Sequence, residues 1–257
     1  MRSCATGSSA DVAHFYLQET LRAAQCRPGA IVSVDGAEAR HAVTVSRVRP
    51  GDRLRVGNGA GLLLQGTVLT AEAAVLTLRV DDASETAAVT PRIRLVQALA
   101  KGDRDELAIQ AATELGVDGV IPWAAARSIT KWEGPKIAKG HERWISIVRE
   151  ASKQSIRAWL PGVAPLASTK QLAVLAATTR MLLLDPTASG RLTEVAAPTD
   201  DRDILLVVGP EGGISPAELL LLEQAGATQV RLGDTVLRTS TAGPAALAIL
   251  NATLGRW

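Results

Sequence analysis

Residues 204–250, ILLVVGPEGGISPAELLLLEQAGATQVRLGDTVLRTSTAGPAALAIL, constrain the fold more than any other part of the chain. Ile204–Val208 is a continuous apolar run of strand length, and Gly209-Pro210-Glu211-Gly212-Gly213 follows at once. Ser215-Pro216-Ala217-Glu218 has the S-x-x-E spacing of a capping box. Pro216 falls at the first helical position, where a missing N–H costs nothing. A second unit repeats the logic. Residues 228–232 read as a strand, 233–238 as a turn, and Thr239, Ser240 and Thr241 offer side-chain oxygens ahead of an Ala/Leu-rich helix. Two adjacent strand-loop-helix units present free backbone N–H groups on one edge of a sheet, where open α/β folds bind ligands.

The 257 residues suffice for one large domain or two modest ones. An apolar fraction of 47% indicates a sizeable core, and 3% aromatics makes that core mostly Ala, Val and Leu. No apolar run approaches the ~18 residues of a membrane span. The N-terminus MRSCATGSSADVAHF lacks the apolar stretch of a secretory signal. Cys4 and Cys26 form neither a metal-ligand pattern nor a disulfide framework, so a reducing cytoplasm is the expected compartment. His14, His41 and His141 are widely spaced, and no metal is expected. With a net charge of +2, a polyanionic partner must be met by a local patch rather than a global field.

The fold class expected is α/β, with a small β-rich module ahead of it. Strand-like runs recur at 30–34, 53–56, 62–69 and 74–80, with a short helix over 37–48. The polar, acidic segment 81–90 reads as a linker, giving expected domains of 1–85 and 86–257. Beyond it, strands at 93–99, 117–122 and 181–184 alternate with helices at 103–115 and 137–156. Such alternation predicts a mostly parallel sheet covered on both faces.

A lone G-x-x-G-G is most simply a tight strand-to-helix turn. Glu211 inside it would repel a phosphate, and the G-K-[ST] of a P-loop is absent. A carboxylate there suits a ribose, an amine or a cationic group. Arg238 stands at an expected helix start, where a cation opposes the macrodipole, which points to an anion or a substrate. Lys101, Asp103 and Arg104 read as a solvated turn with Asp103 as helix cap, but on the ligand edge. Two basic tracts complete the inventory. The first holds Arg40, His41, Arg47 and Arg49. The second runs over 131–157, with Lys153, Gln154, Ser155 and Arg157 near its end and Trp132, Trp144, Trp159 and Ser152 interleaved. Solvated helix faces explain such tracts, and a phosphate backbone with an unstacked base fits them equally well.

GPEGGIS-P-AE, followed about twenty residues later by LGDTVLRTSTAGPAAL, resembles the SPOUT-class RNA methyltransferases. More narrowly, it is similar to the bacterial family that methylates N3 of a uridine in 16S ribosomal RNA. KGDRDELAIQAATELGVDGVIP, REASKQSIRAWLP and an R-V-R-P-G-D turn behind His41 agree, in order along nearly the whole chain. The resemblance implies a PUA-like β-barrel, then an α/β domain with a C-terminal trefoil knot, a homodimer, and S-adenosylmethionine as donor. It implies a donor cradle of Leu183, Asp185, Gly209, Pro210, Glu211, Gly212, Gly213, Leu232, Gly233, Leu237, Thr239, Ser240, Thr241 and Ala242. RNA contacts then fall to Arg40, His41, Arg47, Arg49, Lys101, Arg104, Lys153, Gln154, Ser155 and Arg157. The chain departs from the family pattern twice. Ser240 stands where L-R-x-E-T-A carries glutamate, and Ile156 where E-Q-S-G-R carries glycine.

The reaction so implied is methyl transfer to a uridine nitrogen. It requires alignment, exclusion of water and stabilisation of the N3 anion. Arg238 is the first expectation for that last role, with Arg104 and Arg157 behind it, and Glu211 orients the donor or relays the proton. Two other classes share these features: a SPOUT enzyme acting on another RNA position or a ribose hydroxyl, and a non-catalytic RNA-binding assembly factor.

Overall fold

The computed structural model describes residues 14–197 and 199–257. Cys4 and the N-terminal segment discussed above lie outside the described residues; Cys26 is a buried free thiol. The chain forms two compact units. One holds the chain up to Ala88 together with Ile156–Trp159; the other holds Val89–Ser155 and Leu160–Trp257.

The first unit is built on β1 (Phe15–Leu17), β2 (Ile31–Asp35), β3 (Arg53–Gly57), β4 (Leu62–Ala71) and β5 (Val75–Glu85). They form one sheet in the order β1-β3-β4-β5-β2, antiparallel except for the β1–β3 pair. Among the described residues this sheet is open rather than a closed barrel. The strands alternate as period-2 patterning requires: Val32 and Val34 of β2 and Leu54 and Val56 of β3 are buried in one core. The expected helix over 37–48 is α1 (Gly36–Arg40) followed by a π-helical turn, His41–Val45. The acidic segment read as a linker starts later than expected. Asp82, Ala83, Ser84 and Glu85 continue β5 and pair with Gln65, Leu64, Leu63 and Leu62 of β4. A ladder partner supplied by a long β4 overrides their polar composition. Ile156–Trp159 closes the unit. Gly61 N–H donates to Ala158 O (2.9 Å), and Trp159 Nε1–H donates to Thr86 O (2.8 Å). At Gly61, φ is +99°, and a Cβ would stand 2.5 Å from Thr86 O, so only glycine fits there.

The second unit carries β6 (Ile93–Ala98), β7 (Gly119–Trp123), β8 (Gly162–Val163), β9 (Arg180–Leu184), β10 (Ile204–Val208) and β11 (Thr228–Val230). All its pairings are parallel, in the order β11-β9-β10-β6-β7-β8. Helices α2 (Arg104–Glu114), α3 (Pro135–Gln154), α4 (Thr169–Ala176), α5 (Pro216–Gln224) and α6 (Thr239–Thr253) cover it. Ile204, Leu206 and Val208 of β10 face Ile109, Trp144, Val148, Leu247 and Leu250 of α2, α3 and α6. Leu205 and Val207 face Leu172 and Leu222 of α4 and α5. Burial on both faces is the reason β10 is a continuous apolar run. β1, β8 and α4 were not anticipated; two of them are too short to show a period.

The Ser215 capping box forms as its spacing predicts. Ser215 Oγ accepts from Glu218 N–H (3.3 Å), and Glu218 Oε2 accepts from Ser215 N–H (3.2 Å). Glu218 also takes Ala126 N–H and the Thr169 hydroxyl, each at 2.8 Å, and so fastens the post-β7 loop and α4 to α5. Burial raises the Glu218 pKa, but these donors outweigh it and hold the carboxyl below its usual range. Asp103 does occupy the N-cap of α2, yet its side chain makes no capping bond; Asp105 takes the Ala100 N–H instead (3.3 Å).

Trp132 and Trp144 pack against each other in the core of the second unit. Trp144 is 1% exposed. Trp132 meets it edge-on at 5.4 Å and lies against Gly140, where a Cβ would be 2.4 Å from its ring. Ser152 is wholly buried, and Ser155 Oγ donates back to Ala151 O at 2.6 Å.

Candidate functional site

The C-terminal ends of β9, β10 and β11 open into a cavity of about 570 Å³. Three segments form its walls: Leu184, Asp185 and Pro186 after β9; residues 208–214 after β10; and residues 230–233, 235–239 and 242, on the stretch that runs from β11 into α6. Arg104, at the start of α2 on the neighbouring β6, completes the rim. Parallel strands ending together leave unpaired backbone groups at this edge, and the glycines keep the walls thin.

Of the expected cradle, Asp185, Gly209, Pro210, Glu211, Gly212, Gly213, Leu232, Gly233, Leu237, Thr239 and Ala242 line the cavity. Leu183 does not. It is fully buried in the α4–α5 core, and the period-2 alternation of β9 brings Leu184 to the wall instead. Ser240 and Thr241 fall inside the first turn of α6 and are not among the lining residues. The three hydroxyls do not cap α6; Arg238 is its N-cap, without a side-chain bond. Thr239 is spent internally, donating to Gly209 O at 2.9 Å.

Glu211 is held firmly. Its Oε1 accepts from Lys101 N–H (2.9 Å) and from Arg104 Nη1–H (2.8 Å). Partial burial pushes its carboxyl up. Bonds from its own and the Lys101 backbone N–H, with the Arg104 guanidinium, overcome that and keep it below the usual range. Glu211 is therefore an anion at neutral pH on the cavity wall. Arg238 also lines the cavity, and among the described residues its side chain makes no hydrogen bond or ion pair. An unpaired guanidinium and a fixed carboxylate thus share one apolar-floored cleft.

Several wall residues carried no signal of their own in the sequence. Ile214 and Val208 are apolar residues beside glycines, and Pro186, Thr235 and Val236 sit in loops whose path only the sheet order defines. Arg127, in the loop after β7, was also missed. Its Nη1 donates to Gly212 O (3.0 Å), so it braces the glycine loop from outside.

The expected RNA contacts divide between the units. Arg40, His41, Arg47 and Arg49 are exposed on the first, around the π-turn and the loop before β3. Arg157 belongs to the same unit. Lys101, Arg104, Lys153, Gln154 and Ser155 belong to the second, where Lys153 pairs with Glu150 at 3.3 Å. His14 and His41 flank Tyr16, with ring centroids 6.4 and 6.2 Å from it. Among the described residues no group of His, Cys, Asp and Glu is placed to hold a metal, and no helix is long and apolar enough to cross a membrane.

Comparison with known proteins gives the same picture. Residues 88–251 match the family described as RNA methyltransferase domain, and residues 34–77 the family described as RNA methyltransferase PUA domain. Ribosomal RNA small subunit methyltransferase E of Mycobacterium bovis is 44% identical over 234 residues, covering 89% of each chain. Its counterpart in Bacillus subtilis is 31% identical, covering 85% of this chain and 89% of that one. Ribosomal RNA small subunit methyltransferase E from Neisseria gonorrhoeae, solved with S-adenosylmethionine bound, superposes with a TM-score of 0.80 at 27% identity, covering 93% of this chain and 97% of that one.

Proposed function

The chain belongs to the ribosomal RNA small subunit methyltransferase E family, and on that premise we propose that it transfers a methyl group from S-adenosylmethionine to N3 of a uridine in 16S ribosomal RNA. The observation that carries the reading is the cavity itself. It lies at the C-terminal ends of three parallel strands, is walled by two glycine-bearing loops and has an unpaired Arg238 on its rim.

The residues fit the donor. A cavity of about 570 Å³ is in the range for a nucleoside-sized ligand. Its walls are largely backbone and aliphatic side chains, suited to an adenine gripped by main-chain groups. Among the described residues no lysine lines it, and Glu211 offers a carboxylate to a cationic ligand. Asp185, whose Oδ1 takes the Thr187 N–H (2.7 Å), also lines the cavity and is available to a ribose or amine.

S-adenosylmethionine supplies an electrophilic methyl group on a positively charged sulfur. The chain's own residues do the rest. Gly209, Gly212, Gly213, Leu232 and Leu237 hold the donor and exclude water. Glu211, fixed by Arg104 and Lys101, orients its cationic end. Arg238 stabilises the N3 anion on the uridine carbonyl oxygens once the N3 proton has passed to bulk solvent, a role that needs a fixed charge rather than a strong base. Lys101 and Arg104 at the rim, with Arg40, His41, Arg47 and Arg49 of the PUA-like unit, contact the RNA backbone. The domain roles follow: an N-terminal RNA-binding unit, and a C-terminal methyltransferase unit. The trefoil knot, the homodimer, a cytoplasmic setting and assembled small subunits as substrate belong to the same proposal. The knot and dimer rest on the family resemblance and the compartment on the cysteine usage; light scattering tests the dimer.

The deciding experiment replaces Arg238 with alanine and maps methylated nucleotides in 16S RNA from a deletion strain complemented with each form. The wild type restores methylation of one uridine at N3. Arg238→Ala keeps donor binding but lowers the rate by about 10²-fold or more. Full methylation by Arg238→Ala removes that residue from the mechanism. Methylation at a ribose or another base overturns the N3 assignment.

A further inference from the structure

Gln97 is fully buried in β6, next to a cavity that its side chain does not line. Strand alternation places it on the face of Ile93 and Leu95, among aliphatic side chains. An amide there is costly unless it is hydrogen-bonded. Its Nε2 donates to Ala98 O (3.1 Å) and to Thr239 Oγ1 (2.8 Å). Thr239 passes its own proton on to Gly209 O (2.9 Å). Among the described residues Gln97 Oε1 has no partner. The amide is thus half-satisfied, and the satisfied half is the donor aimed at Thr239.

This chain of groups joins the two loops of the cavity. Gly209 opens the loop after β10, and Thr239 directly follows Arg238 at the end of the loop after β11. One turn along α6, Gly243 has no side chain to hold the helix away. A Cβ there would stand 3.0 Å from Leu95 Cδ1 and 3.4 Å from Val208 Cγ2. That close approach lets the Thr239 hydroxyl reach the Gly209 carbonyl. A valine at 239 would keep the shape but leave the Gln97 amide and the Gly209 carbonyl without their partner.

We infer that Gln97 is a positioning residue for the methyl donor: through Thr239 it sets the separation of the Gly209 and Arg238 walls. The inference rests on the methyltransferase reading. It differs from a general packing role because the loss should fall on donor affinity rather than on RNA affinity.

The test measures S-adenosylmethionine binding by calorimetry to the full-length wild type, Gln97→Leu, Thr239→Val and Thr239→Ser, with circular dichroism to confirm folding. Binding of the RNA substrate is measured alongside. Thr239→Val and Gln97→Leu should each weaken the donor Kd about tenfold, the effect of one buried hydrogen bond left unmade. RNA affinity should be unchanged, and Thr239→Ser, which keeps the hydroxyl, should bind the donor as the wild type does. In turnover, the KM for the donor should rise more than kcat falls. Unchanged donor binding in folded Thr239→Val overturns the inference while leaving the methyltransferase reading intact. So does a folded Thr239→Ser as weak as Thr239→Val. A wild type that binds no donor overturns both.

Discussion

Arg104 Nη1 stands 2.8 Å from Glu211 Oε1, an ion pair that joins the first turn of α2 to the glycine loop across 107 residues of sequence. The same carboxylate oxygen takes the Lys101 N–H, so the loop after β6 and the loop after β10 share one anion at the cavity rim. Both side chains are partly exposed, at 36% and 22%. The pair therefore contributes little to stability and matters for geometry.

Arg104→Ala should leave thermal stability within about 1 kcal/mol of wild type, as for an exposed pair. Donor affinity should fall about tenfold as Glu211 loses its fixed orientation. The depressed Glu211 pKa should return toward the ordinary carboxylate value. Because the folded pKa lies below the unfolded one, the stabilisation from Glu211 is present above the unfolded value and is lost as pH falls through the folded value. Carboxyl titration by NMR and donor calorimetry check both points.

Asp105 has the opposite sign. Burial pushes its carboxyl up to about 6, against the pull of the Ala100 and Glu106 N–H groups. The folded state thus binds the proton more tightly than the unfolded chain. The stability that Asp105 contributes is greatest below the unfolded value, near pH 4, and declines until pH passes about 6. Urea titrations of wild type and Asp105→Asn across that window should differ in slope, by roughly 2–3 kcal/mol in total. Equal slopes would show that Asp105 does not titrate there.

Gly209 and Gly233 both line the cavity, but only Gly209 is hemmed in. A Cβ at 209 would lie 2.7 Å from Ile214 Cγ1 and 3.2 Å from Ile214 N, whereas one at 233 meets nothing within 4 Å. Gly209→Ala should cost about 1–3 kcal/mol by overpacking and displace the glycine loop. Gly233→Ala should unfold at the wild-type temperature. Thermal melts of the two variants separate a packing constraint from a requirement for bare backbone.

Ile156 adopts φ +54°, a left-handed backbone that costs a β-branched residue about 1–2 kcal/mol. The related pattern carries glycine at this position. Ile156→Gly should relieve the steric strain, offset in part by the flexibility it adds to the unfolded chain, for a net gain of about 0.5–1 kcal/mol. A drop in the unfolding midpoint would mean that the Ile156 side chain contributes packing that outweighs the strain.

Much of the fold was legible because it is written in short-range terms. The apolar run of β10, the Ser215 capping box and the Gly209–Gly213 turn each depend on a few neighbouring residues. The Trp132–Trp144 contact was not legible because an aromatic beside lysines looks the same whether it faces solvent or another ring. The last strand of the first unit was cut short at Val80 for a similar reason. Asp82 and Glu85 are poor strand formers, and only the length of β4 gives them partners.

By itself the sequence determined most of the element types, the two glycine-bearing loops, and the presence of Glu211 and Arg238 within them. Periodicity and turn sterics act over a few residues and leave their mark in composition. The tertiary structure alone decided that Arg104 holds Glu211, that Leu184 rather than Leu183 faces the cavity, and that Thr239 is turned inward by Gln97, 142 residues away. Those outcomes depend on which strands become neighbours and how closely α6 approaches the sheet. Both are set by packing across the whole domain, and no local stretch records them.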